Sequence, residues 1–410
     1  MRNIFACLCL LLLLISVTRA DNLVNFTRTG TMSVLHTNQR METVFGASAP
    51  PPTSKAIDLY KVRYRSPDAK GRSVILSGLL VLPRGGAPRG LIIFNHGVTA
   101  DRSLSPSRFT PAAKPSEVEL AVLAFASGGY AVAMPDYLGL GDDRGAHPFP
   151  LGSVNSRSAI DLIAPARTLA ARYNTIVGSR LFIAGYSEGG AVAMWTVRML
   201  EQDPTSAYQV FSAVPMSGPY DLSGVTRQSL IEQPTNAQAF ATGLYLMANI
   251  ARYFHKSEGV RLTDYFAPTM AASVSRVFDR NHSDETIIKR LALTAILMRA
   301  KNSIDRVITP RFKNALQTVD TNDPIIRELR RNDCYDWTPR TKMLLISLKN
   351  DGVVSPANTQ KAMQTMRSRG VGADSLRQHV IADESLNHLT GAAPSFVQAR
   401  RFFDKGFAGF

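Results

Sequence analysis

The rhythm of apolar and polar positions changes three times along the chain. Residues 56–65 (AIDLYKVRYR) alternate and read as a strand, as do 73–82, and Pro67-Asp68-Ala69-Lys70-Gly71 between them offers turn chemistry, which predicts an opening hairpin. From Gly90 the pattern becomes short, continuous apolar runs at 91–94, 130–135, 181–184 and 211–215. Between them lie helical periods at 117–127, at 155–173 and from the end of the third run through Leu200. Continuous apolar strands separated by helices predict an α/β fold with a mostly parallel sheet covered on both faces. The alternation then stops. Residues 224–338 hold helical stretches such as 237–254 and 286–301 with no obvious strand between them. A strand at 342–347, a helix at 357–369, a strand at 377–381 and a closing helix at 395–403 complete the pattern. The expected organisation is a sheet domain made of 56–223 and 339–410, interrupted by a helical cap at 224–338. Residues 21–55 carry little hydrophobic period, end in Pro50-Pro51-Pro52, and read as an N-terminal arm or a pair of covering segments.

Residues 1–20 stand apart from the fold. Arg2 gives a positive start, Leu8 through Val17 form a short apolar run, and Thr18-Arg19-Ala20 places small residues where a signal peptidase reads. The run is too short for a membrane span of about 20 residues. A cleaved Sec-type secretory signal is therefore expected rather than an uncleaved anchor, with the product secreted or periplasmic. No later stretch approaches a spanning length. Cys7 and Cys9 precede most of the apolar run, which argues against a lipid-anchored cysteine, and their loss with the signal leaves Cys334 alone. An exported chain with no internal disulfide is ordinary for a bacterial envelope, and Cys334 reads as a small buried residue.

Composition narrows the class. The 410 residues are 45% hydrophobic and 19% charged, as suits a globular protein with a sizeable core. The formal charge of +15 allows peripheral contact with anionic surfaces or lipid. The basic residues are spread along the chain, so a nucleic-acid partner is not expected. No H-E-x-x-H or paired Cys/His spacing occurs, so no metal is expected. Gly139-Leu140-Gly141 resembles part of a nucleotide loop, but its third glycine is misplaced.

The sharpest chemical signal is Gly185-Tyr186-Ser187-Glu188-Gly189-Gly190, a G-x-S-x-G turn between an apolar strand and a small-residue helix. Such a turn presents the Ser187 hydroxyl to a substrate, and the flanking positions need small residues because side chains there would meet the neighbouring strand and helix. A serine hydroxyl needs a base oriented by a third group. Asp351, in the turn Lys349-Asn350-Asp351-Gly352-Val353-Val354 after a late strand, is the candidate acid, with Asp383 and Asp374 in reserve. His388, on a loop after the last strand, is the candidate base, preferred over His379 inside that strand. The expected oxyanion donors are the backbone N–H groups of Glu188 and of Val98 in the loop Asn95-His96-Gly97-Val98-Thr99, with Thr99 the next choice. His96 reads as a structural hydrogen-bonding residue.

With these residues placed, the sequence resembles the α/β-hydrolase superfamily. Within it, the chain is similar to secreted bacterial lipases and esterases related to the fungal secretory lipase (lipase A-like) group. The closer likeness rests on Met134-Pro135-Asp136-Tyr137-Leu138-Gly139-Leu140-Gly141, His147-Pro148, Gly185 to Gly190 and Asn350-Asp351-Gly352-Val353-Val354. The resemblance implies ester substrates, small-molecule or lipid, no cofactor, and a helical cap over the site. Three other readings remain open: a serine peptidase, a plant-cell-wall (feruloyl or acetyl) esterase, and a non-catalytic binding protein on the same scaffold. Short and long p-nitrophenyl esters set against a peptide anilide separate the first two from a lipase, and a fluorophosphonate that fails to label Ser187 would favour the third.

Overall fold

Apolar runs buried on both faces need partners on both sides, and the chain supplies them. The computed structural model describes residues 22–111, 115–232, 237–278 and 282–410; the expected signal at 1–20 lies outside the described residues. β1 (Leu23–Met32) is followed by α1 (Val34–Phe45), β2 (Ile57–Pro67), β3 (Ser73–Pro83) and β4 (Leu91–Asn95). Then come α2 (Glu117–Ala121), prolonged by a wide helical turn over Val122–Ala126, β5 (Ala131–Pro135), α3 (Gly152–Asp161) and α4 (Ile163–Arg172). β6 (Leu181–Tyr186), α5 (Glu188–Gln202) and β7 (Val210–Met216) lead to the helical segment: α6 (Arg227–Ile231), α7 (Ala237–Glu258), α8 (Pro268–Val277), α9 (Asp284–Leu297), α10 (Pro310–Thr318) and α11 (Pro324–Arg331). β8 (Lys342–Leu348), α12 (Ala357–Ser368), β9 (Leu376–Ile381) and α13 (Ala392–Lys405) close the chain.

The nine strands form one sheet in the order β1-β2-β3-β5-β4-β6-β7-β8-β9. The first three and β5 pair antiparallel, and from β5 onward all pairings are parallel. Successive side chains of a strand point to opposite faces, so each buried strand feeds two cores. Leu91, Ile93, Leu181 and Ile183 pack with Ile163, Leu169, Met194 and Val197 of the helices on one side. Ile92, Phe94, Phe182 and Ala184 pack with Met41, Phe45, Phe396 and Phe402 on the other.

Two elements differ from the sequence reading. Where the sequence reads as an arm or a pair of covering segments, residues 22–55 contribute an edge strand and a helix. β1 shows little alternation because it lies at the edge, mostly exposed, and because two register shifts, between Leu23 and Asn25 and between Arg28 and Gly30, break its period. Its position comes from backbone pairing with β2, which does not need an apolar face. The helical period at 155–173 is two helices, parted at Leu162. Pro165 lacks the N–H that would continue the ladder across that point, so the chain turns there.

The helices from α6 to α11 build a separate apolar cluster around Leu244, Phe254, Phe266, Val274, Leu291 and Ile326. Phe149, Leu151 and Leu222 of the sheet domain belong to the same cluster, which seats the helical segment on the strand ends. Its one sheet-like feature among the described residues outside the named strands is a bridge between Phe266 and Ile308. No helix of the described residues is long and apolar enough to cross a membrane. Cys334 is fully buried, and burial holds its thiol well above the usual range.

Candidate active site

The turn at Ser187 follows from backbone crowding. Ser187 sits between β6 and α5 with φ 58° and ψ −127°, a conformation that costs roughly 1–3 kcal/mol for a residue with a side chain. A Cβ at Gly185 would stand 1.9 Å from the Gly189 carbonyl oxygen, and one at Gly189 1.9 Å from the Asn95 carbonyl oxygen. Only glycine allows strand, turn and helix to approach so closely. The Ser187 N–H donates to the Met216 carbonyl at 3.0 Å, which ties the turn to β7.

Asp351 and His388 come to this turn from the far end of the chain. The Asp351 carboxylate accepts the Val353 and Val354 amides at 2.9 and 2.8 Å, which leaves Oδ2 facing His388 Nδ1 at 2.7 Å. His388 Nε2 lies 2.8 Å from Ser187 Oγ. The imidazole is held from behind: Tyr186 OH donates to the His388 carbonyl at 2.5 Å, and the two rings stand 5.1 Å apart. Asp351 and His388 are buried, while Ser187 keeps partial exposure. The reserve residues lie elsewhere. Asp383 closes its own turn with Ser385, Asp374 is exposed on a loop, and His379 packs in β9 against Phe410.

The loop after β4 runs beside the serine. A Cβ on Gly97 would lie 3.3 Å from Ser187 Cβ. The Gly97 N–H is taken by both oxygens of Glu117, at 3.0 and 3.2 Å, and the Ala100 N–H by Asp284 at 2.7 Å. Among the described residues no hydrogen bond uses the amides of Val98, Thr99 or Glu188. Glu188 opens α5, where helix geometry leaves the first N–H groups without internal partners. His96 is buried, with Nδ1 2.8 Å from the Gly97 carbonyl and its ring 4.3 Å from Tyr137; burial lowers its pKa to about 4.

Three residues in the site, Glu117, Asp284 and Asn155, carry no functional signal in the sequence. Glu117 reads there only as the start of a helical period. Burial raises its carboxyl to about 8, with Glu188 adding to the rise and the Gly97 amide opposing it. Asp284 lies 184 residues from the loop it grips. Asn155 donates to the Glu188 carboxylate at 2.9 Å, beside His147 at 3.2 Å, so the buried Glu188 side chain has two polar partners under the turn. The His147-Pro148 pattern in the sequence carries no sign that His147 supports Glu188. The Gly139-Leu140-Gly141 segment is a tight turn around Asp136: a Cβ at Gly141 would fall 1.9 Å from the Asp136 carboxylate, which Ser77 and the Ser107 amide already occupy. Among the described residues no three His, Cys, Asp or Glu side chains gather where they could hold a metal ion.

No family model matches the chain, and no curated protein matches it significantly. Solved structures do. A Legionella pneumophila protein described as a hydrolase superposes with a TM-score of 0.79 at 24% identity, covering 94% of this chain and 98% of its own. The rice cell wall degrading esterase LipA of Xanthomonas oryzae gives 0.77 at 21% identity, over 93% and 97% of the two chains. Candida antarctica lipase A gives 0.67 at 12% identity, over 95% and 82%. Identities this low speak to architecture. With its mostly parallel nine-stranded sheet flanked by helices, the chain has the α/β-hydrolase fold.

Proposed function

We propose that the protein is an exported serine carboxylic-ester hydrolase of the lipase or esterase kind. The observation that carries this reading is the unbroken line from Asp351 through His388 to Ser187, at 2.7 and 2.8 Å, beside amides with no other partner. In this reading His388 Nε2 takes the Ser187 proton as Oγ attacks the ester carbonyl carbon. Asp351 keeps Nδ1 protonated and steadies the imidazolium that forms. The N–H groups of Glu188 and Val98 receive the oxyanion. His388 then gives its proton to the departing alkoxide, and water, activated by the same imidazole, releases the acid from Oγ. The esterase and lipase among the structural neighbours support ester substrates, and the pattern of residues 1–20 supports export.

Ser187→Ala decides it. Turnover of p-nitrophenyl butyrate should fall by about 10⁴-fold or more, and a fluorophosphonate should label the unaltered chain only. Retention of most activity in the variant overturns the assignment. A plant-wall ester is the second reading of the substrate, favoured by the likeness to a cell-wall-degrading esterase. Faster release of ferulate or acetate from wall esters than of fatty acid from tributyrin would select it.

A further inference from the structure

We propose that the helical cap completes the oxyanion hole, with Asp284 as a positioning residue that holds the loop carrying the Val98 amide. This rests on the ester-hydrolase reading above. Asp284 stands in the first turn of α9, next to its N-cap Ser283. Its two oxygens reach across to the sheet domain: Oδ2 accepts Thr99 Oγ1 at 2.5 Å, and Oδ1 accepts the Ala100 N–H at 2.7 Å. Tyr245 OH, from α7, donates to Oδ1 at 2.6 Å, so two cap helices meet the loop at one carboxylate.

The loop is thus gripped at both ends. Glu117 of the sheet domain takes the Gly97 N–H, and Asp284 of the cap takes Thr99 and Ala100. Thr99 Oγ1 in turn accepts the Asp101 N–H at 3.0 Å. The amides left without partners among the described residues are Val98 and Thr99, which lie between the two grips. The side chains of Val98 and Ala100 pack on the cap's apolar cluster, so contact with the cap orients both faces of the loop. Asp284 is half-buried, and burial raises its carboxyl while its three donors oppose the rise. Hydrogen bonds to a carboxylate in such a place are short and strong, and they resist the small rotation that would turn the Val98 amide off the oxyanion. A contact that served stability alone could join cap and core anywhere. This one ends on the backbone of the loop beside Ser187.

The test compares unaltered protein, Asp284→Ala, Asp284→Asn and Tyr245→Phe on p-nitrophenyl butyrate, with active sites counted by fluorophosphonate titration. A trifluoromethyl ketone, which forms a tetrahedral adduct on Ser187, reads the oxyanion contact directly. Asp284→Ala should lower kcat by about 10- to 100-fold with KM within about threefold, and weaken the ketone by a similar factor, since a whole oxyanion donor is worth about 10²–10³ in kcat. Asp284→Asn keeps an oxygen for the Ala100 N–H and should recover most of the loss. Tyr245→Phe removes one donor and should lower kcat by a few fold; it carries the test if Asp284→Ala does not fold. Asp284→Ala or, in its place, Tyr245→Phe with unchanged kcat overturns the proposal, as does a fall in kcat with no change in ketone affinity. Unaltered protein that turns over no ester and leaves Ser187 unlabelled overturns the hydrolase reading, and the role of Asp284 with it. Active protein with an indifferent Asp284 overturns only the latter.

Discussion

Ser187 holds a backbone conformation that few side-chain-bearing residues adopt, and three features around it keep it there: glycines at 185 and 189, the bond to Met216, and the imidazole of His388. Glu117 is another residue whose state depends on its surroundings. Its folded pKa of about 8 lies above the ordinary value of 4.5, so the folded protein binds a proton that the unfolded chain has released over that interval. The sign follows from linkage: the stabilisation is fully present below about 4.5 and is lost as pH rises through about 8, by at most about 1.4 kcal/mol per pH unit. Urea unfolding across this range should show stability falling with pH, and Glu117→Gln should flatten the fall. An equal slope in the variant would assign the proton elsewhere. Ser187, the Asp351 turn and the His388 loop were all legible in the sequence, because each carries a local pattern. Glu117 and Asp284 were not, since a carboxylate that grips a distant amide leaves no spacing to read.

Among the elements, β6, the Ser187 turn and α5 behave as one unit. The continuous run at 181–184 marks the strand, and Ala191 and Ala193 let the helix lie close to the sheet. The tightest contact is backbone to backbone at Gly185. Gly185→Ala should therefore destabilise the protein by about 1–3 kcal/mol or more and reduce turnover, because the added methyl can be accommodated only by moving Gly189 and the turn. Gly178→Ala, where nothing lies within 4 Å, serves as the control. A denaturant midpoint for Gly185→Ala equal to that of the control would show that the turn yields more readily than the geometry implies. β1 and the break between α3 and α4 are not legible in the sequence, for different reasons. An edge strand is positioned by main-chain pairing, and one proline inside a helical period can be read either as tolerated or as a stop.

For the whole molecule, charge and the helical segment from α6 to α11 matter most. A net +15 spread over the chain creates a field that favours anionic surfaces without a dedicated site. Co-sedimentation with phosphatidylglycerol vesicles should be strong at about 10 mM salt, where the Debye length is about 30 Å, and weak at about 1 M, where it is about 3 Å. Equal binding to neutral vesicles would mean that charge is not the cause. The helices from α6 to α11 share their apolar cluster with Phe149, Leu151 and Leu222, so this helical segment is joined to the sheet through a continuous core.

Local pattern alone marks the strands and helices from β2 onward apart from the break between α3 and α4, the α/β class, the interruption by helices and the position of the serine turn. Each of these is written in local periodicity and in steric needs that a few neighbouring residues express. Only the packed chain settles which carboxylate faces His388, which amides of the 97–100 loop stay without partners, and that Asp284 of α9 reaches that loop. Those outcomes depend on distances between segments up to about 200 residues apart, set by how the packed layers meet.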